Sequence, residues 1–152
     1  MSTILGLDCE VFYNSGSFGT PSWDPVDAIR DATLELAVNE VDASRRGSGG
    51  WRQMETTLKE ATLNVTFVKD KADTEFAAIA SAVKAGTAIE LAAADGANAS
   101  GTEWLDAMWK ATQWNETQDL EGVVLIEAVF RPTPDANLTP NWGSGTLPTT
   151  RP

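Results

Sequence analysis

Apolar and polar residues alternate with a period of two along several stretches of this 152-residue chain, and this pattern constrains its fold most strongly. The alternation covers Leu5–Tyr13, Thr33–Val41 and Thr62–Val68. Because successive side chains of a strand point to opposite faces of a sheet, the pattern is typical of half-buried strands. Each stretch has one apolar face, formed in turn by Leu5, Leu7, Cys9, Val11 and Tyr13, by Leu34, Leu36 and Val38, and by Leu63, Val65 and Phe67.

Three later segments, 87–93, 103–114 and 122–130, are also strand-like. The middle one carries large side chains on both faces, because the period of two puts Trp104, Met108 and Trp114 on one face and Trp109 on the other. Burial on both faces fits a closed core, and it fits equally a strand pressed against a neighbouring subunit.

One helix is predicted, over Lys71–Ala85, with Asp70 as its N-cap and Gly86 ending it in a left-handed conformation. Its apolar residues follow the spacing of a helix face that packs on a sheet, at Phe76, Ile79, Ala80 and Val83. A chain of this length fits one domain. The patterns together therefore predict a mainly β (α+β) fold with one flanking helix.

Two stretches lack a strand or helix period. The segment 42–58 is rich in Ser, Gly and Arg and is predicted to be a long loop or an extended hairpin, of a length that is usually functional or disordered. The segment 132–152 holds five of the chain's seven prolines. We expect it to be an extended or disordered arm that follows a domain of residues 1–131.

Composition excludes several classes of function. The chain has no histidine, which removes His-based catalytic triads and the commonest metal ligand. It carries 22 Asp and Glu against 11 Lys and Arg, so binding of nucleic acid through phosphate neutralisation is not expected. No phosphate-binding loop, EF-hand or CxxC pair is present. We expect no enzyme, cofactor or metal site, although pairs of carboxylates leave acid–base chemistry formally open.

The single cysteine and the hydropathy pattern bear on location. Cys9 cannot form an intramolecular disulfide, and its place in the first alternating stretch predicts a small buried side chain. An apolar run of about 18 residues is missing, so we expect no membrane anchor.

Three features occur in order along residues 7–132. A strand leads into a polar, Gly-rich segment and returns, through Asp31, Thr33, Leu34, Leu36, Asp42, Ser44, Arg45, Arg46, Gly49, Gly50, Trp51, Thr57, Leu58, Lys59, Ala61 and Leu63. A short turn over 69–73 is followed at once by the helix that contains Phe76 and Ile79 and ends at 85–87. A last pair of strands closes near Arg131 and Pro132 after the segment 114–116. In these features the chain resembles the tail tube (major tail) proteins of long-tailed bacteriophages.

The resemblance implies a β-sandwich or barrel-like fold with one flanking helix and a long extended loop. It also implies hexameric rings that stack into a conduit for DNA ejection, placed in the virion tail and assembled in the host cytoplasm. The implied partners are further copies of the chain, a tape measure protein and tail end proteins, with double-stranded DNA passing without specific binding. Contractile tail tubes and the haemolysin-coregulated tube protein of type VI secretion have a similar architecture.

Two sets of site residues follow from the charge distribution. Positive charge is concentrated in the segment 43–71, and we predict a subunit interface there formed by Arg45, Arg46 and Arg52 with Trp51 as an anchor. If the strands 33–39 and 62–68 face the lumen, their polar sides offer Glu35, Asn39, Asn64 and Thr66. An acidic lining would let DNA slide, because a basic one would hold it. The alternative function is a β-sandwich module that presents some of its six Trp side chains to a carbohydrate or another ligand.

Overall fold

The fold consists of one antiparallel sheet system and one helix. The computed structural model describes residues 3–6, 9–133, 138 and 140–149. Within them the strands are β1 (Glu10–Asn14), β2 (Trp23–Pro25), β3 (Ile29–Asp42), β4 (Met54–Val68), β5 (Ile89–Ala94), β6 (Glu103–Thr117), β7 (Leu125–Pro132) and β8 (Asn141–Ser144), and the helix α1 (Thr74–Ala85) lies between β4 and β5. The predicted mainly β fold with one helix is confirmed.

The strand order is β2-β1-β5-β6-β7-β4-β3, and β8 pairs with β6 beyond the end of β7. The sheet curls, because Val11 of β1 and Leu63 of β4 belong to the same buried cluster although three strands separate them in the sheet. The connection from β2 to β3 ties the two ends together. In it, the Val26 N–H donates to the Val11 carbonyl at 3.0 Å, and the Val68 N–H donates to the Ala28 carbonyl at 2.8 Å. The result is the barrel-like arrangement that was expected.

The main core lies inside this curl, and the helix covers it. As predicted, Leu63, Val65 and Phe67 of β4 are buried. Phe76 and Ile79 of α1 are buried with them, and Ala80 and Val83 pack at the margin of the same cluster. The Phe76 ring lies 5.5 Å from that of Phe67 and 6.3 Å from that of Trp114, measured between centroids. The helix face predicted from the i, i+3, i+4, i+7 spacing is therefore the one that packs.

The helix begins three residues later than predicted. Its N-cap is Asp73, whose Oδ1 accepts hydrogen bonds from the backbone N–H groups of Glu75 at 3.0 Å and Phe76 at 3.3 Å. Asp70 caps the preceding turn instead, where its carboxylate accepts from the Ala72 N–H at 3.0 Å. Both aspartates suit an N-cap by residue type. Asp73 is the N-cap, and its carboxylate also accepts a hydrogen bond from the Ala28 N–H, which fixes the helix to the sheet. The predicted end is confirmed, since Gly86 has φ 75°.

A bulge in β6 corrects the predicted distribution of tryptophans. The pairing of β6 with β7 shifts register between Ala111 and Gln113, so one extra residue reverses the alternation beyond it. Trp109 and Trp114 consequently point into the same main core. Trp104 points to the opposite side, into a second buried cluster. The expectation that Trp104 and Trp114 share a face was wrong, because strict alternation cannot anticipate a bulge.

The second cluster joins the end of the chain to the sheet. Leu147 packs there with Phe12, Ala92, Ala94 and Trp104. Trp104 lies opposite Gly143 in the β6–β8 pairing, and its indole Nε1 donates to the Gly145 carbonyl at 3.1 Å. Trp23 donates similarly to the Pro148 carbonyl at 2.8 Å. Within the segment expected as an extended or disordered arm, residues 140–149 therefore form a strand and an anchored tail, while most of 134–139 and 150–152 lie outside the described residues.

The start of the chain also differs from the prediction. The first strand begins at Glu10 rather than at Leu5, and Leu5 is 60% exposed. Cys9 is exposed as well, so its predicted burial was wrong. Val11 is buried as predicted and Tyr13 is half-buried, whereas Leu7 lies outside the described residues. Alternation in the sequence continues past the point where a neighbouring strand is available, because β5 pairs with β1 only from Glu10 onward.

Candidate functional site: a projecting hairpin and an open sheet face

The strands β3 and β4 form a hairpin that extends well beyond the rest of the sheet. They pair with each other as far as Asp42 and Met54, whereas β4 pairs with β7 only between Leu63 and Val68. The ten residues from Met54 to Leu63 span about 30 Å of strand. Every residue from 35 to 60 is exposed except Ser48, which is half-buried. The segment 42–58 is therefore the end of an extended hairpin, as one of the two predicted alternatives had it.

One face of this hairpin carries a short exposed apolar stripe, formed by Leu36 and Val38. It continues the core-facing side of β3, on which Leu34 is still half-buried. At the register shift between Val38 and Glu40 the extra residue lies in β4, so the alternation of β3 continues and Val41 points to the opposite face. The exposed fractions are 55% for Leu36, 42% for Val38 and 50% for Val41. A two-stranded hairpin is marginally stable alone in water, so the exposed apolar stripe makes this hairpin a candidate surface for contact with another chain.

The four residues predicted for a subunit interface lie together at the tip of this hairpin. The tip, residues 43–53, contains Arg45, Arg46 and Arg52 and no acidic residue. Trp51 is 77% exposed there. The tip thus presents three positive charges around one large aromatic side chain.

Internal hydrogen bonds hold the backbone of the tip. The Ser48 hydroxyl donates to the Gln53 amide oxygen at 3.0 Å and accepts from the Arg45 N–H at 3.1 Å. The Gln53 N–H donates to the Ser44 hydroxyl at 2.7 Å. Gly49 and Gly50 have φ of 64° and 84°, a region that favours glycine, and they make the sharp reversal before Trp51. Hydrogen bonding to Ser44 also lowers the pKa of the Asp42 carboxyl, at the base of the tip.

A second surface is the outer face of β3, β4, β7 and β6, opposite the main core. Asn64 and Thr66 lie on it because they alternate with the buried Leu63, Val65 and Phe67. Cross-strand partners point to the same side of a sheet, which adds Glu35 opposite Thr62. The four residues predicted for a lumen thus share one face. Asn39 lies on the same side of β3 as Glu35, because the extra residue at the register shift is in β4, and its carbonyl accepts from the Thr57 hydroxyl at 3.3 Å.

The pairing adds residues to this face that sequence reasoning missed. Asp31 is opposite Thr66 on one side, and Glu127 is opposite Thr66 on the other. Together with polar side chains of β6 they line a shallow depression, formed by Asp31, Thr33, Asn64, Thr66, Gln113, Asn115 and Glu127. These residues could have been found from the alternation within β7 combined with the pairing of β7 to its neighbours, but the sequence does not give that pairing. Lys110 and Arg131 lie opposite each other on this face, where the acids Asp31, Glu35, Glu60 and Glu127 outnumber them.

The tryptophans do not form a common platform for a ligand. Trp104 and Trp109 are buried, and Trp23 and Trp114 are half-buried. Trp51 and Trp142 are exposed, but one lies at the hairpin tip and the other on β8. The aromatic content that favoured a carbohydrate-binding module is thus used mainly for packing.

Buried acids are the other polar groups that could form a site. Glu90 and Asp106 are the buried acids of the described residues, and Asn14 donates to the Glu90 carboxylate at 2.6 Å. Nowhere in the described part of the chain do three or more Cys, Asp or Glu side chains form a group that could hold a metal ion. Among those same residues no helix has the length and apolarity to cross a membrane.

Known structures share this fold over nearly the whole chain. No family model and no curated protein matches the sequence. A chain in the virion of a native gene transfer agent particle matches with TM-score 0.73 and 14% identity, covering 93% of this chain and all of that one. A chain in the tail of an empty gene transfer agent particle, determined with C6 symmetry, matches with TM-score 0.71 and 15% identity, covering 95% and 100%.

The third structure is the SPP1 tail tube, with TM-score 0.71 and 17% identity, covering 97% of this chain and 82% of that one. At these identities the likeness establishes the fold. The chain therefore has the tail tube fold that the resemblance implied.

Proposed function

We propose that this protein is the structural subunit of a phage tail tube, in which hexameric rings stack into a conduit for DNA. The observation that carries the proposal is the projecting hairpin. No described residue covers its apolar stripe or its tip, and the fold is shared with a chain in a gene transfer agent tail that was determined with C6 symmetry. Contacts that repeat head to tail produce rings when the rotation closes and filaments when it does not. Repeated contacts of the stripe and of the tip can therefore build a tube.

In this proposal the tip is a contact between subunits. Trp51 supplies buried apolar area, and Arg45, Arg46 and Arg52 supply charge-assisted contacts to an acidic surface of a neighbouring copy. The net charge of −11 makes acidic surface plentiful on that neighbour. Assembly also covers the free edge of β3, which in a lone subunit is a risk for aggregation.

The outer face of β3, β4, β7 and β6 is the proposed lumen lining. It is polar, and its acids outnumber its bases among the residues named above. Duplex DNA carries about one charge per 1.7 Å, and an acidic lining would not retain it. Glu35 is exposed at this face, and Asn64 and Thr66 are half-buried within it. Asn39 is exposed on the same side of β3 as Glu35.

The remaining parts of the proposal follow from a tail tube role. The protein acts without catalysis, resides in the virion tail and is assembled in the host cytoplasm. A tape measure protein and the tail end proteins contact the tube, while DNA passes without specific binding.

Electron microscopy of the purified protein tests the tube assignment. We expect stacked rings from the wild type, and folded, soluble subunits without tubes when residues 44–52 are replaced by a short Gly-Ser linker, since the exposed tip contributes little to the core. Replacing Thr149, exposed at the other end of the chain, with Ser is the control and should leave tubes unchanged. Tubes of normal length and ring spacing from the linker variant would show that the tip is not a subunit contact.

A charge reversal tests the lining. Glu35→Lys would add about six positive charges to each hexameric ring and should slow DNA ejection at low salt while the tube stays intact. Asp27→Lys, an exposed change away from this face, serves as the control. Ejection from Glu35→Lys particles at the control's rate would count against a luminal position.

A further inference from the structure

The turn between β6 and β7, residues 118–124, lies at the opposite end of the sheet from the hairpin tip. β4 runs from Met54 near the tip to Val68, and Val68 pairs with Leu125 at the start of β7. The Lys69 N–H donates to the Val124 carbonyl at 3.0 Å, which holds the turn beside this end of β4. The tip and the turn are therefore separated by the whole length of β4, about 46 Å of strand.

The surface of this turn is apolar and acidic. Leu120 is fully exposed, at 101%, and Val123 is 60% exposed. The only charged residues of the turn are Asp119 and Glu121, both exposed. Neither of them forms an ion pair within the described part of the chain. Leu120 and Val123 together therefore expose apolar surface next to two carboxylates.

The charges around the turn leave it acidic. Lys69 is occupied by Glu116, at 3.3 Å between Nζ and Oε2. Asp70 and Lys71 follow in the next turn, and the Asp70 carboxylate accepts from the Ala72 N–H. These four neighbours balance in charge, so Asp119 and Glu121 set the sign of the surface that surrounds Leu120.

The hairpin tip is complementary to this turn in charge and in apolar surface. It presents three arginines and no acid, next to Trp51 with 77% exposure. We propose that the turn 118–124 of one subunit is the acceptor for the hairpin tip of a second copy in the adjacent ring. In this contact Trp51 packs against Leu120 and Val123, and the arginines face Asp119 and Glu121.

Such a contact cannot close within one subunit, because its two halves lie at opposite ends of the molecule. A donor at one end and its acceptor at the other repeat without limit along one direction, which is the geometry of a stack. The inference rests on the proposed tube function and specifies which acidic surface receives the tip.

Charge reversal on each side gives a test with an internal control. One variant carries Arg45→Glu, Arg46→Glu and Arg52→Glu, and the other carries Asp119→Lys and Glu121→Lys. In either variant alone, tip and turn have the same sign, so the protein concentration needed for tubes should rise at least about tenfold. In an equimolar mixture the reversed tip meets the reversed turn and the native tip meets the native turn. The mixture should therefore form tubes of alternating rings.

Sedimentation and negative-stain microscopy at low salt provide the measurement. Asp27→Lys with Glu103→Lys, two exposed acids outside the turn, makes the same change in net charge and should assemble as the wild type does. Normal tubes from the reversed-turn variant alone would overturn the acceptor assignment while leaving the tube function intact. Failure of the mixture, with both variants folded, would overturn the direct pairing. Absence of any assembly by the wild type would reject the tube function and this inference with it.

Discussion

Gly143 on β8 is expected to be intolerant of any side chain, because the Trp104 indole occupies the space where a Cβ would lie. A Cβ built at Gly143 would overlap with Cη2 and Cζ2 of Trp104. Trp104 is only 6% exposed, so its ring cannot move aside freely. The backbone φ of Gly143 lies outside the left-handed region, so the conflict comes from side-chain packing alone.

The magnitude can be worked from these contacts. Overpacking of a filled site costs about 1 to 3 kcal/mol. Displacing the indole also breaks its hydrogen bond to Gly145, which contributes about 0.5 to 1.5 kcal/mol. Gly143→Ala should therefore reduce the free energy of unfolding of the monomer by about 2 to 4 kcal/mol. The control is Gly19→Ala, since a Cβ at Gly19 meets nothing within 4 Å. It should be neutral or stabilise by up to about 1 kcal/mol.

Urea denaturation of the monomer measures both variants, and a double-mutant cycle isolates the contact. In a Trp104→Leu background the space opposite Gly143 is open, so Gly143→Ala should then cost less than about 1 kcal/mol. Equal urea midpoints for Gly143→Ala and Gly19→Ala would refute the reasoning. An unchanged cost in the Trp104→Leu background would place the strain elsewhere.

Three further predictions concern the helix and its surroundings. Phe76→Ala should lower the free energy of unfolding in denaturant by about 3 to 5 kcal/mol because Phe76 is buried. Leu120→Ala is the control, since Leu120 is exposed, and it should change the free energy of unfolding by less than about 0.5 kcal/mol. Similar losses in the two variants would contradict this. Asp73→Ala should cost roughly 1 to 2 kcal/mol and more than Asp70→Ala, because only Asp73 caps α1, and the reverse order would restore Asp70 as N-cap. A hydrogen bond from Lys69 lowers the pKa of Glu116, so this pair stabilises the fold above about pH 4.5 and the stabilisation is lost as pH falls through the depressed pKa. At pH 7 the wild type should therefore have a higher free energy of unfolding than Lys69→Met, and this difference should disappear on acidification to pH 3. A difference that persists at pH 3 would show that the stabilisation does not depend on ionised Glu116.

Rules based on the local sequence were enough to predict the elements whose hydrophobic pattern matches their burial in the fold. The alternation of Leu63, Val65 and Phe67 identified the buried face of β4 because neighbouring strands cover that whole stretch. The helix face with Phe76 and Ile79 followed from its period, and Gly86 from its need for a left-handed conformation. The concentration of arginine in an acidic chain likewise pointed to the tip. In each case the signal lies within about ten residues of chain.

Other features depended on what lies across the fold. Leu36 and Val38 show the same alternation as Leu34, yet they are exposed, because none of the described elements reaches the outer part of the hairpin. A bulge in β6, set by pairing with β7, turned Trp114 toward the core. The face that unites Asp31, Glu35 and Glu127 arises from strand order, which alternation does not encode.

Neighbours in the chain set the strand pattern of most strands, the apolar face of the helix and the position of the positive charge, whereas β8 lies in a segment without a strand period. The tertiary structure alone decided that 141–148 closes the second core beneath Trp104 and that Cys9 stays exposed. It also set the tip and the turn 118–124 at opposite ends of β4. The physical reason is that burial and relative position depend on pairing between residues far apart in the chain, and such pairing is specified by the whole fold.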